Sequence, residues 1–209
     1  YISDGDIQAV VETLKSDYLT CGPKIPEFEQ AFCEYVHAKY SVAVCNATAA
    51  LHIAAMALGV KEGDNVICTP MTFASSANCI RFCGGNVKFV DIDPETYLLD
   101  INKLKEILST APKGTYKGMV LVDFAGYPHN MEEYRKVADE YGMWILEDAC
   151  HAPGAYFIDS TGERVYCGCG KYSDITVFSF HPVKHITTGE GGMACTQNKE
   201  YYELSLIHI

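Results

Sequence analysis

The stretch ITVFSFHPVKHITTGEGGMACT, residues 175–196, contains an apolar run, a basic turn and a second apolar run. The runs 175–180 and 192–196 show little polar alternation, which is typical of strands buried on both faces of a sheet. The turn between them holds Lys184 and three glycines within residues 189–192. Because glycine lets the backbone approach a neighbouring group closely, this turn does not have the pattern of a plain surface loop.

Apolar runs alternate with helix-like patterns along the rest of the chain. Further strands are predicted at 41–44, 65–68, 87–91, 119–123 and 143–148, and helices at about 4–16, 26–38, 47–58, 73–83, 101–109 and 130–141. Strands that alternate with helices form βαβ units with a mostly parallel sheet. The sequence therefore predicts one α/β domain with helices on both faces of the sheet.

Composition narrows the class of protein. The net charge of −11 argues against a nucleic-acid surface, which needs a basic face. No apolar run approaches the about 20 residues of a membrane span, and no leader pattern opens the sequence, so a cytoplasmic location without membrane contact is expected. Ten cysteines lie mostly in apolar runs and are expected to be reduced thiols. Cys167 and Cys169 form a CxC pair, which is a weak zinc signal, and no metal is expected.

Three strand ends carry candidate functional residues, since parallel sheets bind ligands outside the carboxyl ends of their strands. At the first, Asn46, Ala47 and Thr48 lead from a strand directly into a helix. Backbone N–H groups at a helix N-terminus can bind an anion, and a Thr hydroxyl adds a donor. Ordinary N-capping of the helix by Asn46 explains the same residues.

The other two strand ends carry ionisable side chains. Asp148 shares a strand face with Trp144 and Leu146, so its carboxylate is expected in a partly buried cleft. A protonated ring nitrogen is a suitable partner there, although an acid that caps the next loop gives the same pattern. Lys184 follows an aromatic strand, and a desolvated lysine amine can form a Schiff base. A lysine that extends into solvent is the alternative.

Taken together, these side chains match the requirements of pyridoxal phosphate (PLP). This cofactor needs an anchored phosphate, a carboxylate at its pyridine nitrogen and an imine-forming lysine. Phe73 follows another strand, where it can stack on the ring or simply pack in the core. The sequence therefore predicts PLP at the carboxyl edge of the sheet.

Five blocks of the sequence, in one order, resemble the DegT/DnrJ/EryC1/StrS family of sugar aminotransferases, which are PLP enzymes of fold type I. The blocks are YLTCGPKIPEFEQAFCEYVHAKYSVAVCNATAALHIA (18–54), GDNVICTPMTFASSANCI (63–80), GGNVKFVDIDPETYLLD (84–100), WILEDACHAPGA (144–155) and SDITVFSFHPVKHITTGEGGMACT (173–196). The last, which contains the lysine, is the most specific. The resemblance implies a three-layer α/β/α large domain.

The resemblance also implies roles for individual residues. Lys184 would form the imine with the cofactor and carry protons, and Asp148 would keep the pyridine nitrogen protonated. Phe73 would stack on the ring, and His151 would lie beside the 3′-oxygen. The phosphate would be held by the residues Ala47, Thr48 and Ser179. The sugar pocket would be lined by the loop residues Thr20, Gly22 and Pro23.

The runs CNATAALH (45–52) and VDFAGYPHNM (122–131) look most like UDP-4-amino-4,6-dideoxy-N-acetyl-β-L-altrosamine transaminases of pseudaminic acid synthesis. This resemblance implies amino transfer, with glutamate as the donor, to a 4-keto nucleotide sugar. Members of the family continue with a small C-terminal domain and act as homodimers. Residues 1–203 are thus expected to be a PLP-binding large domain truncated at both ends, and 204–209 a tail of uncertain origin. A polypeptide that ended at Ile209 is expected to be poorly stable and inactive.

Three other functions compete with amino transfer. Sugar dehydratases of the same family have a histidine in place of the lysine, and His181 and His185 lie close to Lys184. A one-residue shift would place His185 at that position, but it would misalign TTGEGG (187–192). A non-catalytic fragment that keeps the fold is a second alternative. A zinc or redox protein is the third, and the absence of CxxC pairs argues against it.

Overall fold

A computed structural model describes residues 2–208. Its helices are α1 (Asp4–Leu14), α2 (Lys24–Val36), α3 (Ala47–Ala57), α4 (Ser75–Phe82), α5 (Ile101–Thr110), α6 (Met131–Tyr141) and α7 (Lys199–His208). Its strands are β1 (Tyr40–Val44), β2 (Asn65–Cys68), β3 (Asn86–Phe89), β4 (Tyr116–Val122), β5 (Trp144–Asp148), β6 (Tyr156–Ile158), β7 (Arg164–Tyr166), β8 (Ile175–Ser179) and β9 (Gly192–Thr196). A short 3-10 turn covers Phe124–Gly126.

The central sheet has seven strands in the order β1-β9-β8-β5-β4-β2-β3. Strands β3, β2, β4, β5 and β8 are parallel neighbours, so their carboxyl ends meet at one edge. β9 is antiparallel to both β8 and β1. The predicted α/β fold with a mostly parallel sheet is confirmed.

Helices cover both faces of this sheet. On one face, α3 and α4 bury a cluster that includes Leu146 and Val177 from the central strands. On the other, α5 and α6 pack around Ile145, while α2 packs Phe32 against Phe178. Neighbouring residues of one strand thus face opposite layers, as the strand periodicity of two requires. The predicted three-layer arrangement follows from this alternation.

Several elements differ from the predictions. The strand predicted at 192–196 is present as β9, and its direction, which was not predicted, is antiparallel to β8, because the segment 180–191 contains no crossover helix and a parallel connection needs one. The hairpin of β6 and β7 is not among the predicted strands, because each has only three residues and no clear alternation. α4 begins at Ser75 rather than 73, which leaves Phe73 in the preceding turn. Residues 204–208, expected to belong to a tail of uncertain origin, lie within α7, and the origin of this tail stays a prediction.

Candidate active site

A cavity of 360 Å³ opens at the carboxyl edge of the parallel strands. Seven of the residues that the sequence singles out line it, although they are far apart in the chain: Ala47, Thr48, Phe73, Asp148, His151, Ser179 and Lys184. They follow β1, β2, β5 and β8, whose order in the sheet brings their ends together. The structure therefore places the N-terminus of a helix, a buried acid and a lysine around one space.

The N-terminus of α3 forms one end of the cavity. Asn46 caps the helix, because its Oδ1 accepts a hydrogen bond from Ala49 N at 2.9 Å. Within residues 2–208 the backbone N–H groups of Ala47 and Thr48 have no protein acceptor. The two interpretations of this turn are compatible, since the cap uses one N–H and leaves two for an anion. Ser179 adds a hydroxyl at the end of β8 that is 8% exposed.

Gly192 is a position in the glycine-rich segment 189–192 where the structure requires a glycine. It pairs with Val44 across β9 and β1, directly before the start of α3. A Cβ at this position would lie 2.4 Å from Asn46 C and 2.6 Å from Ala47 N. These are backbone atoms that cannot move aside, so only glycine lets β9 lie against the helix start. Among the three glycines, Gly192 thus makes the close approach to the start of α3, whereas a Cβ at Gly189 would meet nothing within 4 Å.

Asp148 ends β5 with its side chain only 5% exposed. Its Oδ2 accepts a hydrogen bond from Ser76 Oγ at 2.6 Å, and its Oδ1 accepts one from Cys150 N at 3.2 Å. No lysine, arginine or histidine forms an ion pair with it in the described part of the chain. A buried carboxylate is costly without a partner, so the cavity favours a ligand with a positively charged N–H group.

Lys184 lies in the segment between β8 and β9, where its backbone N donates to His181 O at 2.9 Å. Its side chain is half-buried and lines the cavity. Among residues 2–208, no acceptor lies within hydrogen-bonding distance of its Nζ. His181 also lines the cavity, whereas His185 is exposed and does not. Lys184, and not His185, therefore lines the cavity, and the formation of an imine by Lys184 stays a prediction.

Two aromatic rings complete the walls. Phe73 is 74% exposed, so the alternative of a core phenylalanine is wrong. His151 packs against Phe124 with ring centroids 6.1 Å apart. Its Nδ1 accepts a hydrogen bond from Ala125 N at 3.3 Å, which leaves the proton on Nε2. Burial, and then the charge of Lys184, lower the pKa of His151, so the ring is neutral.

The three residues predicted for a sugar pocket lie elsewhere. Thr20, Gly22 and Pro23 belong to the connection between α1 and α2, and none lines the cavity. Thr20 and Pro23 are exposed and Gly22 is half-buried. Contact between this connection and a sugar stays a prediction.

Three hydroxyl residues of the site are not among those predicted from the sequence: Thr72, Ser75 and Ser76. Ser75 Oγ lies 2.7 Å from Thr48 Oγ1, so it joins the starts of α3 and α4. Thr72 Oγ1 lies 2.6 Å from Ser76 Oγ. The signal was the run TPMTFASSAN (69–78), whose hydroxyl residues follow β2 at the same edge of the sheet. Hydroxyls are frequent at helix starts, so this pattern alone does not indicate a binding site.

A second group of ionisable side chains lies on the opposite face of the sheet. The possible ligand atoms of Asp123, Glu147 and Cys167 lie within 4.8 Å of one another, and all three residues are buried. Burial, and then the Asp123 charge, raise the pKa of Glu147 to about 8. Burial also raises the pKa of the Cys167 thiol. Both groups are therefore protonated at pH 7, and Glu147 can donate to Asp123, whose Oδ2 has no other partner in residues 2–208.

The remaining cysteines are not paired. All ten cysteines are free thiols, and Cys169, two residues after the buried Cys167, is half-buried. Reduced thiols are thus what the structure contains, as predicted. No helix in the described part of the chain has the length and apolarity needed to cross a membrane.

The donors around the cavity fit a phosphorylated ring with a basic nitrogen and an aldehyde. The free N–H groups of α3 suit the phosphate, and the unpaired carboxylate of Asp148 suits a protonated ring nitrogen. The amine of Lys184 suits the aldehyde. The exposed face of Phe73 suits the ring.

Comparison with known proteins identifies the family. A UDP-4-amino-4,6-dideoxy-N-acetyl-β-L-altrosamine transaminase of Campylobacter jejuni is 40% identical over 200 residues, which cover 95% of this chain and 50% of that protein. PseC of Helicobacter pylori, an aminotransferase involved in the biosynthesis of pseudoaminic acid, superposes with a TM-score of 0.89 at 29% identity. The match covers 99% of this chain and 53% of PseC.

NtdA of Bacillus subtilis, solved with bound PMP, gives a TM-score of 0.84 at 30% identity, covering 98% of this chain and 45% of NtdA. The chain thus spans about half the length of the relatives it matches. The model of the DegT/DnrJ/EryC1/StrS aminotransferase family matches residues 1–207. The chain belongs to this family, whose aminotransferases depend on PLP, as the sequence predicts.

Proposed function

We propose that the natural polypeptide carrying this chain transfers an amino group from glutamate to a 4-keto nucleotide-activated deoxysugar. The observation that carries the proposal is the shared cavity of Lys184, Asp148 and the free N–H groups of α3. A UDP-linked 4-keto-6-deoxy-N-acetylhexosamine is the candidate acceptor, since the Campylobacter transaminase is named for a UDP-linked 4-amino-4,6-dideoxy sugar, which amino transfer to such a 4-keto sugar would form. A homodimer in the cytoplasm is part of the same proposal.

In this proposal each cavity residue has one task. Ala47 N, Thr48 and Ser179 bind the phosphate, and Asp148 holds a proton on the ring nitrogen. When bound, PLP supplies an electron sink for the reaction. Phe73 and His151 fix the ring plane and its 3′-oxygen, respectively.

Lys184 is the residue that moves protons. A transamination needs a proton to be taken from one carbon and returned to a second carbon that is separated from the first by one nitrogen, and a single amine can serve both positions. The segment between β8 and β9 keeps Lys184 in the cavity, while Asp148 lies nine-tenths buried at the neighbouring strand end. The half-buried position of Lys184 keeps water partly away from the amine.

The dehydratase alternative would need a histidine in the place of this amine. Lys184 lines the cavity and His185 does not, which supports amino transfer. The alternative of a non-catalytic fragment rests on length, because the chain spans about half of its relatives.

The test incubates the natural polypeptide with PLP, glutamate and a panel of 4-keto UDP- and dTDP-sugars. We expect a 4-amino sugar and 2-oxoglutarate to form, and both products are detected by mass spectrometry. Lys184→Ala should abolish both products. Lys117→Ala is the matched control, since Lys117 is exposed at the opposite end of β4. Turnover of a simple keto acid with no product from any keto sugar would refute the substrate class.

A further inference from the structure

Ser76 stands out among the groups around Asp148. Its side chain is fully buried, and its Oγ lies 2.6 Å from Asp148 Oδ2. The other hydrogen bond to this carboxylate comes from Cys150 N and is longer, at 3.2 Å. Hydrogen bonds to a charged acceptor are short and strong, so Ser76 is the main protein contact of the Asp148 carboxylate.

The single proton of Ser76 has three possible partners. Besides Asp148, Thr72 Oγ1 lies at 2.6 Å and Phe73 O at 3.2 Å. The carboxylate is the strongest acceptor and is at short distance, so the proton goes to Asp148. Thr72 must then donate to Ser76, because two hydroxyls that share one contact need one donor and one acceptor. The result is a directed chain from Thr72 through Ser76 to Asp148.

The hydrogen-bond chain from Thr72 to Asp148 passes through the first turn of α4. Ser76 lies in the first turn of α4, and its backbone N donates to Phe73 O at 3.1 Å. The same turn therefore carries the hydroxyl that contacts Asp148 and the exposed aromatic ring of Phe73. Neither Ser76 nor its hydrogen bond faces solvent, so water cannot replace the hydroxyl readily.

We propose that Ser76, oriented by Thr72, is a positioning residue that fixes the Asp148 carboxylate in the direction of the ring nitrogen of PLP. The proposal rests on the proposed function. Without Ser76, Asp148 keeps only the long contact from Cys150 N and can turn about its terminal torsion, which is broad for carboxylates. The ring would then lose both a fixed orientation and a fixed charge partner.

The test measures PLP binding and the visible circular dichroism of bound PLP in the natural polypeptide. Ser76→Ala is expected to raise the Kd for PLP about tenfold and to weaken the dichroic band, which reports a fixed ring orientation. Ser41→Ala is the matched control, because Ser41 is 4% exposed and its Oγ donates to Glu29 O, away from the cavity. Both quantities are expected to stay unchanged in this control.

Thr72 provides a second pair of variants if Ser76→Ala does not fold. Thr72→Val removes the donor to Ser76 and should shift both quantities in the same direction, while Thr72→Ser keeps the hydroxyl and should bind PLP more tightly than Thr72→Val. Equal Kd values and equal bands for Ser76→Ala and the unsubstituted protein would overturn the role of Ser76 alone. Absence of PLP binding by the unsubstituted protein would overturn the proposed function and this role with it.

Discussion

Replacing Glu147 by glutamine should make the protein less sensitive to alkaline pH. Glu147 is buried, and its Oε2 accepts hydrogen bonds from Ser173 Oγ at 2.8 Å and Thr176 Oγ1 at 2.6 Å. Burial, and then the charge of Asp123, raise its pKa from 4.5 to about 8. A glutamine keeps both acceptor contacts and can donate to Asp123, but it never has to be ionised inside the protein.

The magnitude follows from linkage. Between the unfolded pKa of 4.5 and the folded pKa of about 8, the folded protein binds more protons at Glu147 than the unfolded chain does. Stability is therefore highest at low pH and is lost as the pH rises through 8, with a limiting slope of about 1.4 kcal/mol per pH unit. Between pH 6 and pH 8 this group should lower the free energy of unfolding by about 2 kcal/mol.

Urea unfolding at pH 6, 7 and 8, with a reducing agent present, measures this effect. The difference in free energy of unfolding between Glu147→Gln and the unsubstituted chain should grow by about 2 kcal/mol in favour of the variant across this range. Glu140→Gln is the control, because Glu140 is exposed. The difference in free energy of unfolding between Glu140→Gln and the unsubstituted chain should stay constant from pH 6 to pH 8. A constant difference for Glu147→Gln as well would refute the buried, protonated state of Glu147.

Two further substitutions test the cavity walls. Gly192→Ala should lower the free energy of unfolding, measured in urea, by about 2 kcal/mol or more, because its Cβ would lie 2.4 Å from Asn46 C. Gly5→Ala is the control, since its Cβ would meet only Ser3 Oγ at 3.6 Å, and it should change the free energy of unfolding little. Equal effects of the two substitutions would contradict the close approach of Gly192. Phe73→Ala should leave stability within about 0.5 kcal/mol, since the ring is 74% exposed, yet weaken PLP binding roughly three- to tenfold in a fluorescence titration. Unchanged PLP affinity would contradict stacking by Phe73.

The positions of Asp148 and Lys184 could be predicted because both residues lie at or after the ends of predicted strands. Periodicity of two assigned Asp148 to the face of Leu146, and the cavity lies on that side of β5. Parallel strands end at one edge, so residues after different strands meet without any knowledge of side-chain packing. These inferences needed only the alternation of strands and helices.

Other features depend on contacts that the sequence does not encode locally. The hydrogen bond from Ser76 to Asp148 joins residues 72 positions apart, and a Ser at a helix start has a common local explanation. The face of β5 that carries Glu147 could be predicted. The neighbours of Glu147 could not, because Asp123 follows β4 and Cys167 follows β7 of the unpredicted hairpin. The antiparallel direction of β9 follows from the connection without a helix between 180 and 191, but the sequence pattern predicts only the strand and not its direction.

Reductive trapping tests the central claim most directly. The natural polypeptide is incubated with PLP and treated with borohydride, which makes a bond between the cofactor and a lysine amine permanent. Peptide mapping by mass spectrometry should place the pyridoxyl group on Lys184, with labelling lost in Lys184→Ala and kept in Lys117→Ala. A pyridoxyl group on other lysines with none on Lys184, or no labelled peptide at all, would contradict the assignment of this cavity as a PLP site.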